Sequence, residues 1–214
     1  MINLDAPPAN ADEAADPTPL NILQGGQLAV ECLLWSSRRT PCWRGTLMIW
    51  LSMNRTWNIL CWNVRGINRS EKWPLIRNKI DESNCDIFCF QETKKENFDL
   101  AFVKKFAPRK FDQFIFSPSV GASGGIIVGW NGSLFHGTVV EVHPFAITVC
   151  FSSRMDSNVW YLSTVYGPCL EPARSIFVNW FKNLDIQDDC NWILMGDFNF
   201  YRSLENRNRN GGNF

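Results

Sequence analysis

Two residues that could take part in phosphoryl chemistry follow an apolar run near the end of the chain. The run 192–195 is followed by Gly196, Asp197 and Asn199. Asp197 and Asn199 are two positions apart, and residues two apart in an extended segment lie on the same face. A carboxylate and an amide on one face can hold a metal-bound phosphate together with its attacking water.

Three further apolar segments end in the same way, with a polar residue of a type found in active sites. Segment 58–62 is followed by Asn63, segment 86–90 by Gln91 and Glu92, and segment 159–165 by Tyr166. If these strand ends meet at one edge of the molecule, they form a pocket with two carboxylates, two asparagine amides and a phenol. The sequence predicts such a pocket.

These side chains favour one kind of chemistry. The carboxylates of Glu92 and Asp197 are hard oxygen ligands that suit Mg²⁺ or Mn²⁺, and such ions also bind substrate phosphates. Asn63 and Asn199 can donate to phosphate oxygens or orient the carboxylates, and Tyr166 can donate to a non-bridging oxygen as charge develops. The set predicts metal-dependent cleavage of a phosphoester.

Each of these residues has an ordinary alternative when it is taken singly. Asp197 could form an Asx turn or cap a helix, and Asn63 could be a turn former. Glu92 could be a solvated loop residue, and the phenol of Tyr166 could end a core strand. Their joint occurrence after four apolar segments is what favours the catalytic interpretation.

The rest of the pattern predicts the elements that position these residues. Five apolar segments between residues 113 and 165 follow one another without a helix, which argues against a purely parallel sheet. We therefore expect an α/β fold with two packed sheets and helices outside them. The predicted strands are 58–62, 86–90, 113–116, 125–130, 134–142, 145–151, 159–165 and 191–195, and the predicted helices are 70–83, capped by Ser70, 99–106 and 171–184.

Composition limits the possible partners. The chain has 214 residues and a formal net charge of zero, so it has no overall field that attracts nucleic acid, and binding would need a local patch. Lys94, Lys95 and Arg202 are weak candidates for phosphate contacts, and a solvated face of mixed charge is the alternative. No pair among the 8 cysteines has the spacing of a zinc or redox motif, which favours a reduced intracellular protein.

The chain divides into two parts by composition. Residues 1–56 begin with a segment rich in Ala, Asp, Asn and Pro, and are predicted to be a largely disordered leader. Residues 57–214 carry the regular pattern and are predicted to be one domain. Neither part contains a secretion signal or an apolar run of the roughly 20 residues that span a bilayer.

Five short motifs then occur in the order typical of a known superfamily. They are Trp62-Asn63-Val64-Arg65-Gly66, Phe90-Gln91-Glu92-Thr93-Lys94, Gly124-Gly125, Val165-Tyr166-Gly167-Pro168 and Gly196-Asp197-Phe198-Asn199. With them, residues 57–214 resemble the endonuclease/exonuclease/phosphatase superfamily. The sequences of these motifs are most similar to those of the apurinic-type endonuclease domain of plant LINE-type (non-LTR) retrotransposons.

This resemblance implies a four-layer α/β sandwich and cleavage of DNA with Mg²⁺, or alternatively Mn²⁺. It implies that Glu92 binds the metal and that Asn63 supports both metal and phosphate. Asp197 would orient or activate the attacking water, Asn199 would fix the scissile phosphate, and Tyr166 would stabilise the transition state. The implied partners are DNA and, in a full-length copy, the reverse transcriptase domain of the same element, which uses the nick as a primer.

The chain departs from the superfamily pattern at its end. That pattern closes with strands that carry a further catalytic aspartate and a Ser-Asp-His ending, and this sequence contains neither. We therefore expect a sandwich that is incomplete at its C-terminus. His136 and His143 precede two of the motifs, and for both we expect a structural or solvent-exposed role.

Three functions remain open from the sequence. The first is an endonuclease that nicks DNA in retrotransposition, which would act in the nucleus. The second is a non-catalytic truncated relic or nucleic-acid-binding fragment. The third is a phosphatase of the same superfamily that acts on a small phosphoester, for which a cytoplasmic location is expected.

Overall fold

The computed structural model describes residues 45–52, 55–120, 123–156, 158–184 and 191–199. Within them, the first sheet has the order β1-β2-β3-β5-β4. Only β2 and β3 are parallel, and the other neighbours are antiparallel. Its strands are β1 (Gly45–Ser52), β2 (Arg55–Asn63), β3 (Ile87–Gln91), β4 (Gln113–Val120) and β5 (Ser123–Trp130).

The second sheet of the described residues has the order β6-β7-β8-β9. Its first three strands form an antiparallel meander, and β9 returns parallel to β8 after a helix. This parallel pair needs the longer crossover connection, whereas the meander needs only short turns. The strands are β6 (Phe135–His143), β7 (Ala146–Ser153), β8 (Val159–Tyr166) and β9 (Trp192–Asp197).

Helices cover the outer face of each sheet. Helices α1 (Lys72–Ser83) and α2 (Leu100–Phe106) pack on the first sheet, and α3 (Ala173–Lys182) packs on the second. Asp99 caps α2, since its carboxylate accepts from the backbone amide of Phe102 at 2.6 Å. Among the helices that the structure describes, none is long and apolar enough to cross a membrane.

Alternation along the strands divides the apolar residues among three clusters. In β2, Ile59 faces the second sheet while its neighbour Leu60 faces α1 and α2, because successive side chains point to opposite faces of a sheet. Leu162 in β8 joins the same inter-sheet cluster, and Val165 packs with Phe177 of α3. The result is a helix–sheet–sheet–helix arrangement, and the predicted four-layer α/β sandwich is confirmed.

Several details differ from the sequence prediction. Residues 45–52 were not predicted to form a strand, yet they form β1 and pair with β2. The prediction that Ser70 caps α1 was wrong, because the N-cap position is Glu71 and its side chain forms no capping hydrogen bond. Within α3, Ile176 is 59% exposed, whereas its neighbour Phe177 is fully buried.

The predicted leader, residues 1–56, overlaps the first sheet. Residues 45–52 and 55–56 belong to strands, so regular structure begins before the predicted domain boundary. Residues 1–44 lie outside the described residues. The division of the chain at residue 56 therefore stays a prediction.

Candidate active site

The polar ends of four strands meet at one rim of the sandwich. In the first sheet Asn63 lies opposite Gln91, and in the second Tyr166 lies opposite Asp197. The two sheets are joined there by a hydrogen bond in which Asn63 Nδ2 donates to Asp197 Oδ2 at 2.7 Å. The meeting of strand ends that the sequence predicted is thus observed between residues 134 positions apart.

Asp197 is held by hydrogen bonds to both carboxylate oxygens. Its Oδ1 accepts from the backbone amide of Asn199 at 3.2 Å, and its Oδ2 accepts from Asn63. Burial raises the pKa of Asp197 above its usual value, these two hydrogen bonds oppose the change, and the negative charge of Glu92 adds to it. A carboxylate with a raised pKa is a better proton acceptor.

Glycine is required directly before this aspartate. Gly196 has φ of +147°, and a Cβ there would collide with the backbone carbonyl of Val165 in the neighbouring strand. The glycine therefore allows β9 to approach β8 closely where the site begins.

Asn199 ties the two loops of the second sheet together. Its Nδ2 donates to the carbonyl oxygen of Gly167 at 2.6 Å, and the amide of Gly167 donates to the carbonyl of Asp197 at 2.8 Å. In this structure the amide group of Asn199 thus holds the turn after Tyr166. Its predicted contact with a scissile phosphate, which would use its second N–H, stays a prediction.

Tyr166 presents a phenol beside two acidic residues. Its ring packs against the inter-sheet core. Burial raises the pKa of Tyr166 well above its usual value, and the charges of Glu92, Cys169 and Asp197 act in the same direction. The hydroxyl therefore stays protonated over the physiological range and can act as a hydrogen-bond donor.

Glu92 stands on a short segment that the first sheet holds in place. Its φ of 54° is in the left-handed region, and its carboxylate pairs with Lys94 Nζ at 3.1 Å. The amides of Thr93 and Lys94 donate to the carbonyls of Gly125 and Gly124 at 3.1 and 3.0 Å. This segment therefore continues the pairing of β3 with β5 beyond the end of the strand.

The pair Gly124-Gly125 has a structural role at this point. A Cβ at Gly125 would collide with Thr93 Oγ1, whereas nothing lies within 4 Å of a Cβ at Gly124. Both glycines lie within β5, and Gly124 pairs there with Ser119 of β4. The close approach at Gly125 is what lets the segment with Glu92 lie against β5.

The donor set fits a divalent cation that is held jointly with its substrate. Among the described residues there is no group of three or more His, Cys, Asp or Glu side chains that could hold a metal. The site does offer two carboxylates, Glu92 and Asp197, that are close enough for the charge of one to raise the pKa of the other. Mg²⁺ is usually bound through one or two carboxylates, waters and substrate phosphates, and this set meets that need.

Asn63 has less freedom than the sequence suggested. Its Oδ1 accepts from the amide of Arg65 at 3.1 Å while its Nδ2 donates to Asp197. The amide oxygen keeps a second lone pair for a metal. The structure therefore assigns Asn63 an orienting contact to Asp197, and its metal contact stays a prediction.

Two of the three residues predicted to contact DNA, Lys94 and Lys95, have partners within the protein. Lys94 pairs with Glu92, and the ammonium of Lys95 lies 4.0 Å from the ring centre of Phe102. Arg202 lies outside the described residues. Lys94 and Lys95 stand beside Glu92 in the chain, so both remain near the rim.

The two histidines have the structural or exposed roles that the sequence indicated. His143 stacks on Trp180 with ring centres 4.7 Å apart, and its Nδ1 accepts from the amide of Phe145. His136 is exposed on β6.

One polar residue near the site was missed by the sequence analysis. Lys72 Nζ donates to the carbonyl oxygens of Val64, Arg65 and Gly66, in the loop that follows Asn63. Only its position nine residues after Asn63 links it to the motif in sequence. No local pattern distinguishes it from a solvated lysine at the start of a helix.

Comparison with known proteins agrees with this fold. The model of the endonuclease/exonuclease/phosphatase family matches residues 60–213. None of the curated proteins matches the sequence. The human Nocturnin catalytic domain with bound sulfate is similar in structure, with a TM-score of 0.52 and 16% identity over 69% of this chain.

The chain spans 65% of the length of that Nocturnin domain. Truncated Caenorhabditis elegans TDP2 is also similar, with a TM-score of 0.47 and 15% identity over 71% of this chain and 64% of that chain. The Leishmania major AP endonuclease LMAP has a TM-score of 0.46 and 17% identity over 66% of this chain and 54% of that chain. At these identities, structural likeness concerns the fold alone. The family match covers more than half of the sequence, and the chain therefore belongs to the endonuclease/exonuclease/phosphatase family.

Proposed function

We propose that this protein hydrolyses phosphodiesters with the help of a divalent metal ion, and that it acts as an endonuclease that nicks DNA in retrotransposition. The observation that carries the proposal is the hydrogen bond between Asn63 and Asp197, which unites the polar strand ends of the two sheets. Family membership supports the reaction class. The resemblance of the motif sequences to those of LINE-type elements supports DNA as substrate and the reverse transcriptase domain of the same element as partner.

Asp197 is suited to orient the attacking water and accept its proton. Its two hydrogen bonds fix the direction of the carboxylate, and its raised pKa improves it as a base. A positioned general base typically contributes about 10²- to 10⁴-fold in rate. Asn63 thus acts through Asp197 as well as on the phosphate.

Tyr166 is suited to stabilise the charge that develops on the phosphate. Its raised pKa keeps the proton on the hydroxyl, so the group can donate to a non-bridging oxygen. Asn199 keeps the loop after Tyr166 in place through its bond to Gly167. The same asparagine has a second N–H for the scissile phosphate.

Glu92, with the amide oxygen of Asn63, would hold Mg²⁺ or Mn²⁺. The ion would polarise a phosphoryl oxygen and neutralise the charge of the transition state. In the structure Lys94 supplies a positive charge to Glu92. If Glu92 bound the metal ion instead of Lys94, the ammonium of Lys94 would be free to contact a phosphate of the DNA backbone.

A second candidate is a phosphatase that acts on a small phosphoester. It is favoured by the contacts of Lys94 and Lys95, because both cations have partners within the protein and the net charge of the chain is zero. Such a substrate would need no extended basic surface. DNA would be bound in the nucleus, whereas a soluble phosphoester would suit a cytoplasmic protein.

The test is nicking of supercoiled plasmid by the 214-residue chain with Mg²⁺ or Mn²⁺, together with release of phosphate from small phosphoesters. Glu92→Gln removes the charge of the proposed metal ligand. Glu82→Gln, on α1 and paired with Lys79, is the matched control. We expect nicking that Glu92→Gln abolishes and Glu82→Gln preserves.

Other outcomes assign other functions. Phosphate release without nicking would favour the phosphatase. Binding of DNA by folded protein with neither activity would refute the hydrolase proposal and leave a nucleic-acid-binding protein. Nicking that persists in Glu92→Gln would show that the rim is not the site.

A further inference from the structure

The loop 64–67 links the polar ends of β2 and β3 through its amide groups. Three of these amides donate to the successive carbonyl oxygens of residues 91–93, at distances from 2.6 to 3.0 Å. The fourth, that of Arg65, donates to the side-chain oxygen of Asn63 at 3.1 Å. The loop thus contacts both the carboxamide of Asn63 and the backbone that carries Glu92.

The carbonyl groups of the same loop are all bound by two adjacent residues of α1. Lys72 Nζ donates to the carbonyl oxygens of residues 64, 65 and 66 at 3.2, 2.8 and 3.0 Å. Trp73 Nε1 donates to the carbonyl oxygen of residue 67 at 2.8 Å. An ammonium group has three N–H donors, so Lys72 can bond all three oxygens at once.

This loop has a backbone shape that needs support. Arg65 and Gly66 have φ of 49° and 90°, both in the left-handed region. A residue with a side chain keeps such a conformation only where its surroundings enforce it. The ammonium of Lys72 does so by gathering three carbonyl oxygens that otherwise repel one another.

Apart from the negative charge of Glu92, the surroundings of Lys72 disfavour a cation. Burial lowers the pKa of Lys72, and the neighbouring charges of Arg69, Lys94 and Arg65 act in the same direction, while only that of Glu92 opposes them. The carbonyl groups are therefore its main stabilising contacts. This arrangement differs from that of Lys79 on the same helix, which pairs with Glu82 at 3.2 Å.

We propose that Lys72 is a positioning residue, whose three hydrogen bonds to the loop 64–66 hold Asn63 and Glu92 in register at the rim. It acts on these residues through the loop and not on the substrate. The role rests on the proposed function, because it assigns to Lys72 the support of that same site. Removal of Lys72 would loosen the loop amides and, with them, the two groups proposed to hold the metal.

The experiment compares Lys72→Met, Lys72→Arg and the control Lys79→Met in the 214-residue chain. Methionine keeps an unbranched stem without donors, and arginine restores N–H donors without adding an acceptor. The readouts are kcat and KM for plasmid nicking, the Mg²⁺ concentration at half-maximal rate, and hydrogen exchange of the amides of residues 64–67. Removal of a group that orients metal ligands typically costs about 10- to 100-fold in metal affinity or activity.

For Lys72→Met we expect a loss of that size in kcat or in Mg²⁺ affinity, an unchanged KM for DNA and faster exchange at residues 64–67. Lys72→Arg should recover part of the loss, and Lys79→Met should match the wild type. Equal behaviour of Lys72→Met and Lys79→Met overturns the proposal. So does a Lys72→Met chain that fails to fold while Lys79→Met folds, since Lys72 would then serve the fold as a whole.

Failure of the proposed function can be told apart from failure of this inference. Absence of nicking by the wild type would refute the hydrolase and would leave the exchange experiment unaffected. If Lys72→Met then exchanges its loop amides at the wild-type rate, the positioning role is refuted as well. If exchange becomes faster only in Lys72→Met, Lys72 holds this loop whatever the rim binds.

Discussion

Replacement of Asn63 by alanine tests the contact on which the site depends. The change removes the donor that lies 2.7 Å from Asp197 Oδ2 and keeps the backbone amide of Asn199, which donates to Asp197 Oδ1. A hydrogen bond to a charged group is worth about 1.5–3 kcal/mol. Because Asp197 is only partly buried, we expect Asn63→Ala to lower the free energy of unfolding by an amount near the lower end of that range at pH 8.

The loss should depend on pH in a known direction. The pKa of Asp197 in the folded protein is already raised, and removal of a donor to the charged carboxylate raises it further. Between the unfolded and folded pKa values the folded state binds more protons, so the stability that this group contributes falls as pH rises through that interval. The deficit of Asn63→Ala should therefore be largest at pH 8 and shrink as pH falls and the carboxyl is protonated.

Urea denaturation of wild type and Asn63→Ala across this pH range measures the deficit directly. Asn158→Ala is the matched control, because Asn158 Nδ2 also donates to an aspartate, Asp156, at 2.7 Å but in an exposed turn. Surface changes of this kind usually alter stability by less than about 0.5 kcal/mol. A deficit that does not change with pH, or that is no larger than for Asn158→Ala, would refute the reasoning.

Three further predictions concern other parts of the molecule. Tyr166→Phe should lower kcat for nicking by about 10²- to 10³-fold with little change in KM. Steady-state and single-turnover kinetics measure this loss, and an unchanged rate would exclude the phenol from catalysis. Gly125→Ala should destabilise the protein by more than the left-handed backbone cost of about 1–2 kcal/mol, because its Cβ meets Thr93 Oγ1, whereas Gly124→Ala should show only that cost in denaturation. Burial lowers the pKa of His143, so the unfolded chain binds more protons and stability should fall as pH drops below about 6.5. His143→Gln should reduce that fall, and an identical pH profile would count against it.

Local patterns in the sequence were sufficient for most of the elements. Alternating and periodic apolar residues predicted the strands from β2 to β9 and the helices, because burial of one face leaves a period that can be read along the chain. The N-cap of α1 at Glu71 and the exposure of Ile176 were not predictable in this way. Both depend on which neighbour each turn of the helix contacts, and a single segment does not contain that information.

The first strand shows a similar limit. Residues 45–52 have no clear period, and their strand conformation comes from pairing with β2. Backbone pairing with a neighbour can impose extended structure on a segment whose own pattern is ambiguous.

The sequence alone identified the chemical groups that follow the strands: Asn63, Glu92, Tyr166, Asp197 and Asn199. It did so because strand ends are marked locally, by an apolar run that stops at a polar residue. Their position at one rim is visible only in the folded protein, because the order of strands in two separate sheets brings together residues far apart in the chain. The partners of the polar groups within the protein are likewise visible only in the structure. Lys94 forms an ion pair with Glu92, Asn199 donates to the carbonyl of Gly167, and Lys72 donates to the loop carbonyls. Such contacts depend on distances between side chains from different elements, and those distances exist only once the layers have packed.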